Sequence, residues 1–315
     1  MSQLQTVQAG VGGLPASGGS GRGRLAVREI GLSLITVGVV IFLFVAYQLW
    51  GTGIAESHSQ SSLAKQFAAQ VAKDKTTAAA APTAPPPAPT LPGGAIAHLV
   101  IPKISVNKYV VEGTNENDLR EGPGHYKGTP MPGQVGNVGI AGHRTTYGAP
   151  FFELNRLGPG DPIYITDLDG RTWVYKVSGP PVVVSPDDVA VLDPTPFAQL
   201  TLTTCNPRFS ATSRLVVFAR LVGQALPPSP ATSKTAPAAK TLAGVTNLGQ
   251  GEPNAWIPTL LYGLLAVAVW VLARIWMARA RGWHKAAAVS LGIAVALVPL
   301  WFTFENAVLM LPQSI

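Results

Sequence analysis

Cys205 is the only cysteine in the 315-residue chain, and it stands nine residues ahead of Arg214 within TLTTCNPRFSATSR, residues 201 to 214. A sulfur nucleophile and a permanently charged guanidinium suit acyl transfer: the thiolate attacks a carbonyl carbon while planar N–H donors hold the oxygen that becomes negative. Gln199 to Thr204 and Leu215 to Leu221 are rich in Thr, Val, Leu and Phe and read as strands. Asn206 to Ser213 carries Pro and three hydroxyl residues and reads as a loop, so a hairpin folds Arg214 back toward Cys205. The third candidate is His143, in VGIAGHRTTYG at the C-terminal end of a strand-like run. Of the five histidines, His58 falls in a linker, His98 opens a strand, His125 lies in a Gly-rich loop and His284 in a basic turn. Only His143 has a strand-end setting, and imidazole is the usual proton carrier near neutral pH. Taken singly, each residue has a plain reading: a buried thiol packing as a small hydrophobe, a solvated strand-end charge, a polar loop histidine. Their combination gives them weight.

What a lone thiol means depends on its compartment. Ile30 to Trp50 is a 21-residue stretch without a charge, preceded by Arg22, Arg24 and Arg28. That is long enough to span a bilayer, and its bulky Tyr47-Gln48-Leu49-Trp50 end does not suit signal cleavage. Two further apolar runs, 256–273 and 286–304, flank a basic turn, 274–285, holding Arg274, Arg279, Arg281 and Lys285. Lys and Arg mark cytoplasmic loops, so the expected topology puts the N-terminal tail, 1–29, and the 274–285 turn inside. Everything between the first two spans, and the 305–315 tail, is then outside. Trp50, Trp256, Trp283 and Trp301 fall near span ends, where amphipathic rings favour the interface. In an exported domain a single cysteine makes no internal disulfide, which points to reactivity or intermolecular pairing.

The net charge is +7, yet residues 95–222 hold eleven Lys and Arg against eleven Asp and Glu. The excess sits in tails and linkers, where topology signals and anionic lipid headgroups account for it; a nucleic-acid partner is not expected. Residues 51–94 start with a polar stretch, for which a helix is one reading, and end in TTAAAAPTAPPPAPTLPGG; residues 223–255 pass through PPSPATSKTAPAAK. Such Ala/Pro-rich segments bury too little apolar surface to offset ordering entropy and read as linkers. The remaining globular unit is 95–222. Its pattern is mainly β: HLVIPKI, NKYVVEG, NVGIAG, PIYITD, RTWVYKV, PVVVS, LTLTTC and RLVVFARLV are β-branched and aromatic runs between Gly, Pro, Asn and Asp. Asp169-Gly170 between two of them is a hairpin signal. Eight runs in one domain favour a closed β-barrel, with short helical turns over Phe151 to Leu157 and Asn117 to Arg120.

GHRTTYGAPFFELNRLGPGD together with TLTTCNPRFSATSRLVVFARL resembles the sortases, cysteine transpeptidases of the Gram-positive cell surface whose signature is TLxTC with a downstream Arg and an upstream His. GPGHY and AGHRTTYG are most similar to class E sortases of actinobacteria, and the resemblance covers nearly all of 95–222. It implies an eight-stranded β-barrel with Cys205 as nucleophile, His143 as acid/base partner and Arg214 as oxyanion and substrate stabiliser. Thr204, beside the nucleophile, matches the motif's Thr and is a candidate for substrate support. The implied substrate is a secreted protein with a C-terminal LPxTG-like signal, or an LAxTG form in class E, cut between Thr and Gly. The implied acceptor is an amine on a peptidoglycan precursor such as lipid II, or a pilin lysine. No cofactor is implied, and no acidic cluster matches the calcium site of some class A members, so no metal is expected. The paired C-terminal spans depart from the minimal family pattern. With unperturbed pKa values, about 3% of thiols and roughly a quarter of imidazoles would be charged at pH 7, and under about 1% of sites would carry both charges.

Three other readings compete. L,D-transpeptidases place a His two residues before the Cys, where Thr203 stands here. A hydrolytic cysteine protease would share the nucleophile but release free acid even with amine abundant. A non-catalytic, membrane-tethered β-barrel scaffold would carry an inert Cys205.

Overall fold

The structure is a computed structural model that describes residues 20–78, 94–227, 254–279 and 284–310. The Gly/Ser-rich tail to residue 19, the Pro-rich stretches 79–93 and 228–253, residues 280–283 of the basic turn with Trp283, and residues 311–315 lie outside the described residues.

Nine strands form one sheet: β1 (Ala95–Ile101), β2 (Val106–Glu112), β3 (Gly124–His125), β4 (Gly136–Ala141), β5 (Pro162–Asp167), β6 (Thr172–Val177), β7 (Val182–Val184), β8 (Ala198–Asn206) and β9 (Ser213–Leu221). Their order is β6-β5-β1-β2-β3-β4-β8-β9-β7, and β6 also pairs with β9, which closes the ring. β6 lies on the C-terminal part of β9, with Tyr175 opposite Leu221, and β7 lies along the N-terminal part of the same edge, with Val184 opposite Arg214. Nine strands therefore fill eight positions of a closed barrel. All eight strand-like runs of the sequence are strands; the additional one is β3, only two residues long. The Asp169-Gly170 turn joins β5 to β6, with Gly170 at φ +78, a left-handed conformation that glycine adopts without a Cβ penalty.

Alternation along the strands sorts side chains between the two faces of the wall. Val138 and Ile140 of β4, Leu200 and Leu202 of β8, and Leu215 and Val217 of β9 enter the barrel core beside Leu99, Phe151 and Tyr175. Each such burial contributes about 1.5–3 kcal/mol. The intervening residues, Gly139 and Ala141, Thr201, Thr203 and Cys205, and Arg214, face outward. The outer face of β4, β8 and β9 is the surface on which chemistry-bearing residues gather.

Helix α1 spans Ser20–Ala46. A π-helical turn, Tyr47–Gly51, precedes α2, Thr52–Ala78. The expected linker over residues 51–94 is thus helical through Ala78, and α2 buries Leu63 and Phe67, the latter ring 5.4 Å from Tyr109 of β2. The expected turn near Asn117 is α3, Glu116–Glu121, whose N-terminus carries a reciprocal capping box between Asn115 and Asp118. A 3-10 turn at Leu154–Arg156 lies within the other expected turn. Toward the C-terminus come α4, Trp256–Arg279, and α5, His284–Met310, with Pro299 inside it. Tyr262 of α4 stacks on Phe302 of α5 at 5.2 Å.

Among the described residues two helical runs are long and apolar enough to cross a membrane, within Val27–Lys73 and over Trp256–Trp276. They coincide with the first two expected spans. In place of the third, Ala294–Val308 is a shorter apolar helix among the described residues.

Candidate active site

Strand register brings the three sequence candidates to one place. β4 and β8 are parallel neighbours with Ala141 opposite Thr203, so two residues further along each chain His143 comes level with Cys205. The Gly142 N–H donates to the Thr203 carbonyl at 3.1 Å, which carries the pairing beyond the end of β4. On the other side, β8 and β9 are antiparallel with Cys205 directly opposite Arg214. Neighbouring strands lie about 4.8 Å apart, so thiol and guanidinium issue from adjacent strands at the same height, and His143 follows two residues past the end of β4 on the other side of β8. Arg214 Nη1 donates to Cys205 Sγ at 3.4 Å and also to the Ala211 carbonyl at 3.2 Å. His143 is buried, its Nδ1 3.3 Å from the Thr146 hydroxyl and its ring 5.0 Å from that of Tyr147.

Cys205 is 2% exposed and packs with Leu119, Tyr126, Ala141 and Leu192, with Val189, Val191 and Ala211 against that cluster. The cover comes from the loop between β7 and β8, which makes a 3-10 turn at Val189–Leu192. Asn137 of β4 pins that turn by donating to the carbonyls of Val191 at 3.0 Å and Asp193 at 3.1 Å, while Thr201 donates to Asn137 at 2.6 Å. Gly139 makes the close approach feasible: a Cβ there would stand 2.7 Å from Tyr126 and 2.8 Å from Leu192. Burial pushes the thiol up from 9.0 to about 11, against the opposing pull of Arg214 and then Arg144. At pH 7 the resting thiol is therefore held in its neutral form more firmly than an unperturbed cysteine.

Arg144, next to His143, is a residue that spacing alone did not single out. It is 5% exposed and donates to the Cys205 carbonyl at 3.0 Å, to Asn206 Oδ1 at 2.7 Å and to Asn155 Oδ1 at 3.2 Å. Burial, then the nearby Arg208, lowers its pKa from the usual arginine value. Arg144 bolts the end of β8 to the segment that carries the imidazole. The hint in the sequence was a second guanidinium beside the histidine in GHRTTYG. Thr204 works in the same direction: its buried hydroxyl donates to the Gly142 carbonyl at 2.7 Å, which ties β8 to the residue before His143. Thr203 shares a 2.9 Å hydrogen bond with the Tyr126 hydroxyl.

The other described histidines go elsewhere. His125 sits in β3, not in a loop, and is buried with Nδ1 2.8 Å from Glu112 and Nε2 3.0 Å from the Pro130 carbonyl. His98 lies in β1 and stacks on Tyr109 at 4.6 Å. Among the described residues no group of three or more His, Cys, Asp or Glu converges in a way that could hold a metal ion.

The family model "Sortase domain" matches residues 99–222. Sortase SrtE1 of Streptomyces coelicolor is 38% identical over 213 residues, a match that covers 63% of this chain and 58% of that protein. This chain thus spans little more than half the length of that relative. Sortase SrtE2 of the same organism is 33% identical over 228 residues, covering 65% of this chain and 88% of the relative. The solved structure of sortase E from Streptomyces avermitilis is 36% identical, covers 47% of this chain and 98% of its own, and superposes with a TM-score of 0.39. A relative 33% identical and covered over 88% of its length, together with the Sortase-domain match over residues 99–222, leads to one conclusion: the chain belongs to the sortase family, the cysteine transpeptidases.

Proposed function

We propose that this protein is a membrane-anchored sortase of the class E kind, cutting an LPxTG- or LAxTG-like sorting signal between Thr and Gly and passing the protein to an amine. The observation that carries this reading is Cys205 directly opposite Arg214, the guanidinium already on the sulfur at 3.4 Å, with His143 just beyond the end of the β4 strand that flanks β8. The thiol proton passes to His143, the sulfur bonds to the Thr carbonyl carbon, and Arg214 holds the oxyanion. His143 then protonates the glycine nitrogen as the C–N bond breaks, leaving a thioacyl-enzyme. An acceptor amine attacks that carbonyl, loses its proton to His143, and expels the thiolate. The proposed acceptor is a peptidoglycan-precursor amine of the lipid II type, or a pilin lysine.

Membrane tethering suits that chemistry. The basic segment before Ile30 and the basic 274–285 turn support three spans, with the barrel on the extracellular face of the plasma membrane. Donor protein and acceptor are both held at that surface before transfer, so confinement raises effective concentration without any new contact.

The burial of Cys205 favours one rival, a scaffold with an inert thiol. Methanethiosulfonate labelling of the full-length protein separates the two. Because the thiolate is the reacting form and the folded pKa is about 11, the labelling rate should rise roughly tenfold per pH unit between pH 7 and pH 10. A thiol that stays unlabelled across that range supports the scaffold.

A further inference from the structure

The segment that carries His143 is held by a helix outside the barrel. One face of α2 presents Thr52, Glu56, Gln60, Leu63 and Phe67, spaced three or four residues apart as helix geometry requires. Gln60 binds the edge of β2 and the end of α3, donating to the carbonyls of Tyr109 at 3.0 Å and Glu121 at 2.9 Å and accepting from the Tyr109 N–H at 2.7 Å. Nearer its start, α2 meets the loop just beyond His143. The Tyr147 N–H donates to Thr52 Oγ1 at 3.2 Å. Glu56, whose side chain is 1% exposed, receives both 2.6 Å and 2.7 Å contacts from Lys108 of β2. Its carboxylate fills the space over Gly148, where a Cβ would stand 2.5 Å from Glu56 Oε2.

That loop needs holding. Tyr147 and Ala149 are non-glycine residues in the left-handed region, at φ +48 and +43, a conformation that persists only where the surroundings impose it. Tyr147 is also the residue whose ring lies against the His143 ring, and the Arg120 guanidinium of α3 stands 5.7 Å from the centroid of that Tyr147 ring. The turn ahead of α2 is pinned in its own way: Tyr47 meets Trp301 of α5 edge-on at 4.7 Å.

We propose that the Thr52–Glu56 face of α2 is a positioning element for the reaction: it fixes the Thr146–Ala149 loop and, through Tyr147, sets the orientation of the His143 imidazole. The proposal rests on reading His143 as the proton carrier, and it assigns to a helix outside the barrel a part in placing that group. Thr52 and Glu56 touch neither the sulfur nor the guanidinium and act only through the loop.

The test uses the full-length protein in lipid nanodiscs with a Leu-Ala-any-Thr-Gly peptide. Thr52→Val keeps the shape and removes the acceptor for the Tyr147 N–H; Thr52→Ser keeps the acceptor. The expected result is a roughly tenfold lower kcat for Thr52→Val with KM within about twofold, an altered acid limb in the kcat/KM pH profile, and recovery in Thr52→Ser. Histidine-selective NMR supplies a readout that needs no turnover: the His143 ring signal should move in Thr52→Val and return in Thr52→Ser. An unmoved His143 signal in Thr52→Val overturns the proposal, as does a Thr52→Ser variant as slow as the valine one. Cys205→Ala runs alongside: persistence of cleavage there would defeat the sortase reading, while the NMR comparison still decides the role of α2.

Discussion

Replacing Cys205 by alanine is expected to abolish cleavage of a Leu-Ala-any-Thr-Gly peptide, a loss on the order of 10³-fold or more that leaves only background. In the proposed reaction Cys205 provides the sulfur that bonds to the acyl carbon, and no second thiol exists in the chain to substitute for it. Removing one member of a unit that works together costs about as much as removing the whole unit. The fold should survive, because the side chain is small and its neighbours Leu119, Tyr126, Ala141 and Leu192 can close around the gap. A thermal midpoint within a few degrees of the parent, combined with no detectable product, is the expected pair of results. Cleavage at the parental rate would remove Cys205 from the chemistry.

His143→Ala carries the second largest expected effect, a fall of about 10²–10⁴-fold in kcat/KM. The size follows from the state of the thiol. With burial holding Cys205 neutral until about pH 11, attack at pH 7 needs a nearby base to take the proton, and the departing amine needs an acid. The His143 imidazole, two residues past the end of β4 beside β8, is the proposed group for both. The loss should shrink as pH rises toward 10, since hydroxide then competes to remove the thiol proton. Arg214→Ala should lose about 10²–10³-fold through the oxyanion, with a weaker pH dependence. Steady-state assays of both variants from pH 6 to pH 10 check this, and a variant that keeps a rate within tenfold of the parent is not part of the chemistry.

The hairpin of β8 and β9 was legible because its cues are local. Thr, Val and Leu alternate over two runs, the loop holds Pro and hydroxyl residues, and the pairing of Cys205 with Arg214 follows from the loop length. The placing of the His143 segment beside β8 rests on a parallel β4–β8 pairing between segments some sixty residues apart, and no local signal announces that; the family resemblance supplied the link between His143 and Cys205. Three further features escaped for identifiable reasons. Gly124–His125 is too short to show any strand period, and its place in the barrel comes from pairing with β2 and β4. The docking of α2 is made largely by Thr52, Glu56 and Gln60, residue types that read as solvent-facing until a partner such as Lys108 or the Tyr109 backbone is seen. The cover over Cys205 comes from Val189 to Leu192, four apolar residues in a loop whose resting place depends on a side chain, Asn137, fifty residues earlier in the chain. Sequence alone therefore led to a thiol of ordinary acidity, whereas the packed loop makes it a far weaker acid.

The most direct measurement is mass spectrometry of the full-length protein mixed with a Leu-Ala-any-Thr-Gly peptide and quenched in acid without any acceptor amine. The prediction is a mass increase equal to the peptide fragment ending in Thr, mapped to Cys205, and its conversion to an amide product when an amine such as a glycine peptide is added. Peptide cut without an adduct on Cys205, or an adduct mapped to any other residue, would contradict the assignment of that sulfur as the acyl carrier.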